Sequence, residues 1–91
     1  MNSESYEIIA ELFYDPGNIK VLCSIYENEV SADAIAQVLG ISEPEVMERL
    51  AILCKRHLVN RRQKGDGDVY SLVNPKVCDS ILSLRDSIEH I

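Results

Sequence analysis

The chain has 91 residues and a mass of 10.2 kDa, enough for one domain and too little for a two-domain enzyme or an eight-stranded α/β barrel. With 46% hydrophobic and 26% charged residues and few prolines and glycines, its composition is globular rather than disordered. The longest apolar run, Leu50 to Cys54, is far shorter than the roughly 20 residues that span a bilayer, and the first residues lack the features of a secretory signal. We therefore expect one domain over residues 1–91, no membrane partner and a cytoplasmic location.

The formal net charge of −6 hides a local asymmetry. Residues 1–48 carry ten acids and one base (−9), residues 49–64 six bases and no acid (+6), and residues 65–91 five acids and two bases (−3). A compact basic stretch in an acidic body is typical of a small anion-binding face. The three cysteines have no Cys-x-x-Cys spacing, so neither a disulfide framework nor a structural zinc pattern is visible, and a reducing compartment is favoured.

The first half of the chain predicts two helices followed by a helix-turn-helix. Helical apolar spacing from Tyr6 to Tyr14 is broken by Asp15-Pro16-Gly17, and a second helix begins near Pro16 and ends by Asn28 to Val30. We expect Ser31 to cap a third helix that stops at Gly40, and Ser42, in a Ser-x-x-Glu capping box, to cap a fourth over about 42–57. The expected inner faces are Ile19, Leu22, Cys23 and Tyr26 on the second helix, Ala32, Ile35, Val38 and Leu39 on the third, and Val46, Leu50, Leu53, Cys54 and His57 on the fourth.

The second half predicts a hairpin and a last helix. Leu58 to Lys64 and Asp68 to Val73 read as strands around Gly65-Asp66-Gly67, whose glycines permit the positive φ that a hairpin needs, giving a wing over about 59–72. Asn74-Pro75 opens a fifth helix with an apolar seam at spacings of four and three: Val77, Ile81, Leu84, Ile88 and Ile91. The predicted fold class is mainly α with a β-hairpin, a winged helix-turn-helix, in which the fourth helix can enter a DNA major groove.

From about residue 8 to residue 82 the chain resembles the ArsR family of small winged-helix bacterial repressors, the arsenic- and metal-responsive regulators. The resemblance rests on the order and spacing of several stretches: Tyr14-Asp15-Pro16 with Ile19-Lys20-Val21-Leu22, residues 35–42, Val46 with Leu50 and Leu53, Leu58-Val59, Arg61-Arg62 and Val69-Tyr70-Ser71-Leu72. It implies a homodimer joined through the first and last helices, with each fourth helix in the major groove and each hairpin near the backbone or minor groove. It also implies a repressor released by metal, metalloid or oxidant.

The candidate DNA contacts combine the start and outer face of the fourth helix with the basic stretch: Ser42, Glu43, Glu45, Met47, Glu48, Arg49, Lys55, Arg56, Arg61, Arg62 and Lys64. Three glutamates within six residues are unusual for a surface that meets a polyanion. They can instead favour the helix dipole, one of them can accept a hydrogen bond from cytosine N4, or the face does not meet DNA.

The hairpin cations have two interpretations. They can hold the phosphate backbone, or they can form a charged edge strand that prevents edge pairing. Asp66 and Asp68 at the tip favour a backbone contact over insertion into the minor groove.

Residues at three further places could form a sensor site. The cysteine pair that the family places at its third helix is absent, and Asp79, Asp86 and His90 on the last helix read as a solvated stripe, so we expect no metal and no cofactor. Cys23 and Cys78 lie on the two helices that carry the family's redox thiols, but Cys78 is in the first turn rather than near the far end of its helix. The favoured interpretation of all three cysteines is therefore small hydrophobes of the core. An exposed Cys78 near a helix N-terminus would have a lowered pKa.

The apolar seam of the last helix extends past what one small core covers, so a partner helix is favoured over packing within the monomer. We expect a homodimer interface built from both terminal helices: Ile8, Ile9, Leu12, Phe13, Val77, Ile81, Leu84, Ile88 and Ile91.

No nucleophile elbow, phosphate-binding glycine loop or catalytic carboxylate pair is present, so an enzyme is not expected. The favoured function is a dimeric DNA-binding transcriptional regulator. The alternative is a winged-helix protein-interaction or dimerisation module that has lost DNA binding because of its acidic recognition helix.

Overall fold

A computed structural model describes residues 3–26 and 28–89, which form five helices and one two-stranded antiparallel hairpin. In chain order the elements are α1 (Ser3–Tyr14), α2 (Pro16–Ser24), α3 (Ala32–Leu39), α4 (Glu43–Lys55), β1 (Val59–Lys64), β2 (Gly67–Leu72) and α5 (Lys76–Glu89). The predicted fold class, a winged helix-turn-helix, is confirmed.

Short-range polar contacts fix where the helices of the helix-turn-helix begin and end. Ser31 caps α3 by accepting a hydrogen bond from the Ala34 amide at 3.2 Å, and Ser42 caps α4 by accepting one from the Glu45 amide at 3.3 Å. Gly40 ends α3 in the left-handed conformation at φ 69°, which favours glycine because a Cβ is strained there. These predicted caps are confirmed, and they set the tight turn between α3 and α4.

The end of α4 was predicted wrongly. His57 does not continue the inner face of the helix but lies beyond it, exposed, in the left-handed region at φ 61°. The His57 and Leu58 amides donate to the Cys54 and Leu53 carbonyls at 3.0 Å each, which is the Schellman pattern of a helix end. The left-handed conformation costs a residue with a Cβ about 1 kcal/mol, so glycine usually occupies this position. Because histidine occupies it here, the sequence shows no sign that the helix ends.

The hairpin follows the predicted wing, with Lys64 paired to Gly67 and Val59 to Leu72. Of the two central turn residues only Gly65 has positive φ, as in a type II′ turn, while Gly67 belongs to β2. A contact that the sequence did not predict joins this hairpin to the segment before α3: Val30 and Tyr70 exchange backbone hydrogen bonds of 3.0 and 2.8 Å. The base of the wing is therefore tied to the start of the helix-turn-helix.

The core lies between α2, α3, α4 and the base of the hairpin, and it includes Val21, Leu22, Ile25, Ile35, Val46, Leu50, Leu53, Val59, Tyr70 and Cys78. Two predicted inner faces need correction. On α2 the buried face is shifted by one residue toward the N-terminus relative to the predicted face, and its buried residues are Asn18, Val21 and Leu22. The predicted residues Ile19, Cys23 and Tyr26 are only half-buried. On α3 Ala36 is buried where Val38 was expected, and Val38 is 77% exposed, because the short helix presents a single narrow side to α2 and α4.

Candidate nucleic-acid interface

The outer face of α4 is open to solvent. Val46, Leu50 and Leu53 turn inward to the core, which leaves the opposite side of the helix exposed over four turns: Glu43, Pro44, Met47, Glu48, Ala51 and Lys55. The cap residue Ser42 is also exposed. This face, with β1 beside it, has the position of a recognition helix and wing.

Arg49 does not lie on that face, which corrects its placement among the outward DNA contacts. Its side chain is only 19% exposed, and its guanidinium lies 2.9 Å from Asp15 Oδ1 and 3.4 Å from Glu45 Oε1. It also donates to the side-chain oxygen of the buried Asn18 at 3.1 Å. The hydrogen bond to Asp15 is the main reason that the pKa of Arg49 is raised.

Gly17 at the start of α2 makes room for this guanidinium. A Cβ on Gly17 would lie 2.5 and 2.7 Å from the two terminal nitrogens of Arg49, closer than real Cβ contacts allow. Arg49 therefore fastens α4 to the first turn of α2.

Two more arginines of the basic stretch are held by carboxylates of the same chain. At the end of α4, Arg56 places Nε and a terminal nitrogen each 2.7 Å from Glu11 Oε2 on α1. On β1, Arg62 binds both carboxylate oxygens of Glu29, at 2.8 and 2.5 Å, in the planar two-bond arrangement that guanidinium favours. Hydrogen bonding to Arg62 is the main reason that the pKa of Glu29 is lowered, and the same contact raises the pKa of Arg62.

Three cations of the basic stretch remain open to a partner. Arg61 has a side chain that is 64% exposed and a long 3.9 Å contact to Asp68. Lys55 and Lys64 are exposed, and no carboxylate of the described residues lies within ion-pairing distance of either. Among the three glutamates, Glu45 is engaged by Arg49, whereas Glu43 and Glu48 face solvent. The open cations thus stand beside two exposed acids.

The terminal helices expose apolar side chains on part of the predicted dimer interface. Ile9 and Phe13 of α1 are 40% and 50% exposed, and Leu84 and Ile88 of α5 are 45% and 60% exposed. Ile8, Val77 and Ile81 are half-buried and pack against the core. Leu12 is buried within its own protomer, which corrects its place in the predicted interface, and Ile91 lies outside the described residues.

The structure brings Cys23 and Cys78 together at the contact between α2 and α5. Cys78 is fully buried, and burial, followed by a hydrogen bond with Cys23, raises its pKa to about 12. The lowered pKa expected for an exposed Cys78 does not apply, because α5 packs this residue into the core and burial raises the pKa of its thiol. Cys54 on α4 is half-buried, and burial also raises its pKa.

Metal ligands do not converge in the part of the chain that the structure describes: no three side chains of His, Cys, Asp or Glu there are placed to hold an ion. Asp79 accepts a hydrogen bond from the Tyr26 hydroxyl, Asp86 lies 3.6 Å from Arg85, and His90 lies outside the described residues. Within the same ranges, none of the helices has the length and apolar character needed to cross a membrane.

The fold and the α4–hairpin surface define a winged helix-turn-helix domain, and comparison with known proteins places it near bacterial regulators. The chain is 29% identical over 86 residues to the HTH-type transcriptional regulator KmtR of Mycobacterium tuberculosis, covering 91% of this chain and 66% of that protein. It therefore spans just under two thirds of the length of that relative. No family model matches the sequence.

Solved structures agree on the fold. HlyU from Vibrio cholerae N16961 superimposes with a TM-score of 0.74 at 25% identity, covering 94% of this chain and 96% of that one. The homodimeric winged helix-turn-helix DNA-binding domain of Mb0332 from Mycobacterium bovis, a possible ArsR-family transcriptional regulator, gives 0.78 at 16% identity, covering 100% and 94%. The fold expected from the resemblance to ArsR-family regulators is thus confirmed, in a chain that is acidic, with a pI near 4.7.

Proposed function

We propose that this chain is one subunit of a homodimeric transcriptional regulator, most simply a repressor, that binds duplex DNA in the cytoplasm. The observation that carries the proposal is the geometry of the helix-turn-helix: the caps Ser31, Gly40 and Ser42 fix a tight turn that leaves one whole face of α4 exposed beside a cationic strand. Similarity to KmtR, named as a transcriptional regulator, and to the DNA-binding domain of Mb0332 supports it. The proposal includes no catalytic step.

In the proposed complex, α4 lies in the major groove and β1 lies along the backbone. Ser42, Glu43, Met47, Glu48 and Lys55 are the outward side chains within reach of bases or phosphates, and a glutamate there can accept a hydrogen bond from cytosine N4. Arg61 and Lys64 hold phosphates, which orients the protein without reading sequence. Arg49, Arg56, Arg62 and Glu45 act inside the protomer and orient α4 and the wing.

The DNA proposal is tested by fluorescence anisotropy of the reduced protein on a pool of random duplexes at low salt. We expect binding, and at least a tenfold loss of affinity in a Lys55→Gln, Arg61→Gln, Lys64→Gln triple variant. The matched control is Lys20→Gln, Lys76→Gln, Arg85→Gln, which removes the same charge from the remaining cations outside the basic stretch. Equal losses in the two triple variants would contradict a localised DNA surface. Absence of binding by a folded dimer would favour a winged-helix module that contacts protein instead.

The second copy of the chain is proposed to cover the exposed apolar side chains of α1 and α5. An aspartate at Ile88 or Leu84 is expected to convert the dimer to a monomer in sedimentation equilibrium, because it buries a charge in an apolar interface. Val38→Asp is the control, since Val38 is a still more exposed apolar residue that lies on α3, away from both terminal helices. Dissociation by Val38→Asp, or a dimer that survives Ile88→Asp and Leu84→Asp together, would contradict this interface.

We also propose a thiol switch at Cys23 and Cys78, because the two thiols lie close enough for Cys23 to raise the pKa of Cys78. A two-electron oxidant such as hydrogen peroxide would remove one hydrogen from each thiol, form the S–S bond and leave water. Half-buried Cys23 is the thiol that the oxidant reaches. Cys78 beside it must then lose its proton to attack the oxidised sulfur of Cys23, a step that its burial and raised pKa slow. In a Cys54→Ser background, peptide mapping should find the Cys23–Cys78 disulfide, and sulfinic acid at Cys23 without a disulfide would contradict the switch.

A further inference from the structure

An open groove lies between α4 and the hairpin, with a volume of about 570 Å³. Its floor is made of core residues, Leu50, Val59 and Tyr70, which are 1%, 3% and 3% exposed. One wall is the side of α4 that carries Met47, Ala51 and Cys54. Volume and apolar floor fall within the range of sites that bind small organic molecules. We call this the α4–hairpin groove.

The α4–hairpin groove is lined by several hydrogen-bond donors. Arg61, His57 and Asn60 are exposed and line it together with Tyr70, whose hydroxyl contacts Met47 of the α4 wall. No carboxylate is among the described residues that line it, although the whole chain has 15 acids and a net charge of −6. Hydrogen-bond donors over an apolar floor are complementary to an anion with an apolar body.

Two of these donors are poorly occupied within the chain. The Tyr70 hydroxyl donates to the thioether sulfur of Met47 at 3.8 Å, and a thioether is a weak acceptor. The Arg61 guanidinium has only the 3.9 Å contact to Asp68. Arg61 is paired with Tyr70 in the register of the hairpin, so their side chains lie on the same face of it and both line the groove. A carboxylate oxygen would be a better partner for both donors than those they have.

We propose that the α4–hairpin groove binds a small monocarboxylate with an apolar body, with its carboxylate on Arg61 and the Tyr70 hydroxyl and its body against Leu50 and Val59. Such a ligand covers Met47 and Ala51, which also belong to the outer face of α4. It therefore competes with duplex DNA for that face. The competition rests on the proposed function, whereas the ligand site does not.

The ligand site can be tested without DNA. The chain has two methionines, so a sample with ¹³C-labelled methionine methyl groups has at most two methyl signals, and Met47→Leu identifies the one in the groove. Titration with octanoate should shift the Met47 signal saturably, and 1-octanol, which has the same chain without the charge, should bind at least fivefold more weakly. Arg61→Gln should remove this preference, and Tyr70→Phe should reduce octanoate affinity while keeping the buried ring.

Arg62→Gln is the matched control, because Arg62 is the next residue of the same strand, faces the other side and is not part of the groove. The proposal is overturned by the absence of a saturable Met47 shift, by equal binding of octanol and octanoate, or by an octanoate affinity that Arg61→Gln leaves unchanged.

The competition is tested separately, by adding octanoate to the complex of the protein with duplex DNA. Octanoate should release the duplex. Octanoate binding without release overturns the competition alone, and octanoate binding by a protein with no affinity for duplex overturns the proposed function but leaves the ligand site standing.

Discussion

Helix α4, with its C-terminal cap, and strand β1 each carry three cations, yet they use them differently. On α4 two of the three, Arg49 and Arg56, are fastened to acids on or beside α1 and α2, and only Lys55 is open. On β1 only Arg62 is held, by Glu29, while Arg61 and Lys64 face outward. Two of the three cations of α4 form ion pairs within the protomer, whereas two of the three cations of β1 are free to bind a partner. A positive stretch in a sequence is therefore not yet a binding surface.

Loss of the held cation Arg49 of α4 should lower the stability of the protein more than any other change considered. Arg49→Ala removes three polar contacts. It also leaves the side-chain oxygen of Asn18, a residue that is 3% exposed, without its hydrogen-bond donor. We expect the free energy of unfolding to fall by about 2 kcal/mol in urea denaturation. Lys55→Ala, on the exposed face of the same helix, should change it by less than about 0.5 kcal/mol. Equal effects of the two substitutions would break the distinction between held and open cations.

Gly17→Ala should also disturb the contacts of Arg49, with a smaller loss of stability. In the wild-type chain it should destabilise by about 1 kcal/mol, because the added Cβ displaces the Arg49 guanidinium from Asp15 and Asn18. In an Arg49→Ala background the space is free, so alanine in this helical turn should be neutral or stabilising by up to about 0.5 kcal/mol. A double-mutant cycle from denaturation curves measures the difference. Additive effects would contradict the close contact of Gly17 with Arg49.

The smallest effect is expected at the one held cation of β1. Glu29→Gln releases Arg62, and because the pair is exposed to solvent, the free energy of unfolding should change little. Affinity for random duplex at low salt should rise severalfold as Arg62 becomes available to phosphate. The matched control is Glu7→Gln, an exposed glutamate of α1 that removes the same charge far from the wing. An equal rise in both variants would mean that net charge alone, not the release of Arg62, controls the affinity.

Local signals made the fold predictable. Ser31, Ser42 and Gly40 mark their helix ends by chemistry that acts over three or four residues, and Gly65-Asp66 marks the hairpin in the same way. The end of α4 was missed because His57 adopts the left-handed conformation, which is uncommon for histidine and cannot be read from the sequence. The Val30–Tyr70 bridge was missed because a two-residue strand contact has no period to detect.

The candidate site was only half predictable, because its arginines are held by residues distant in sequence. Arg49 bonds to Asn18 31 residues away, Arg62 to Glu29 33 residues away and Arg56 to Glu11 45 residues away. Spacing within α4 or β1 carries no information about such partners. A signal was present in the charge asymmetry, since the acidic first half of the chain supplies every one of these carboxylates. That asymmetry indicates intramolecular pairing as much as an anion-binding face.

The salt dependence of duplex binding by the proposed dimer separates held from open cations most directly. With Lys55, Arg61 and Lys64 open on each protomer, six phosphate contacts predict a slope of log Kobs against log salt of about −5. Arg61→Gln should lower its magnitude by about 2, and Arg62→Gln should leave it unchanged. A slope near −11, as expected if all six cations of residues 49–64 met phosphate on each protomer, or a slope that falls equally in both variants, would contradict the division between held and open cations.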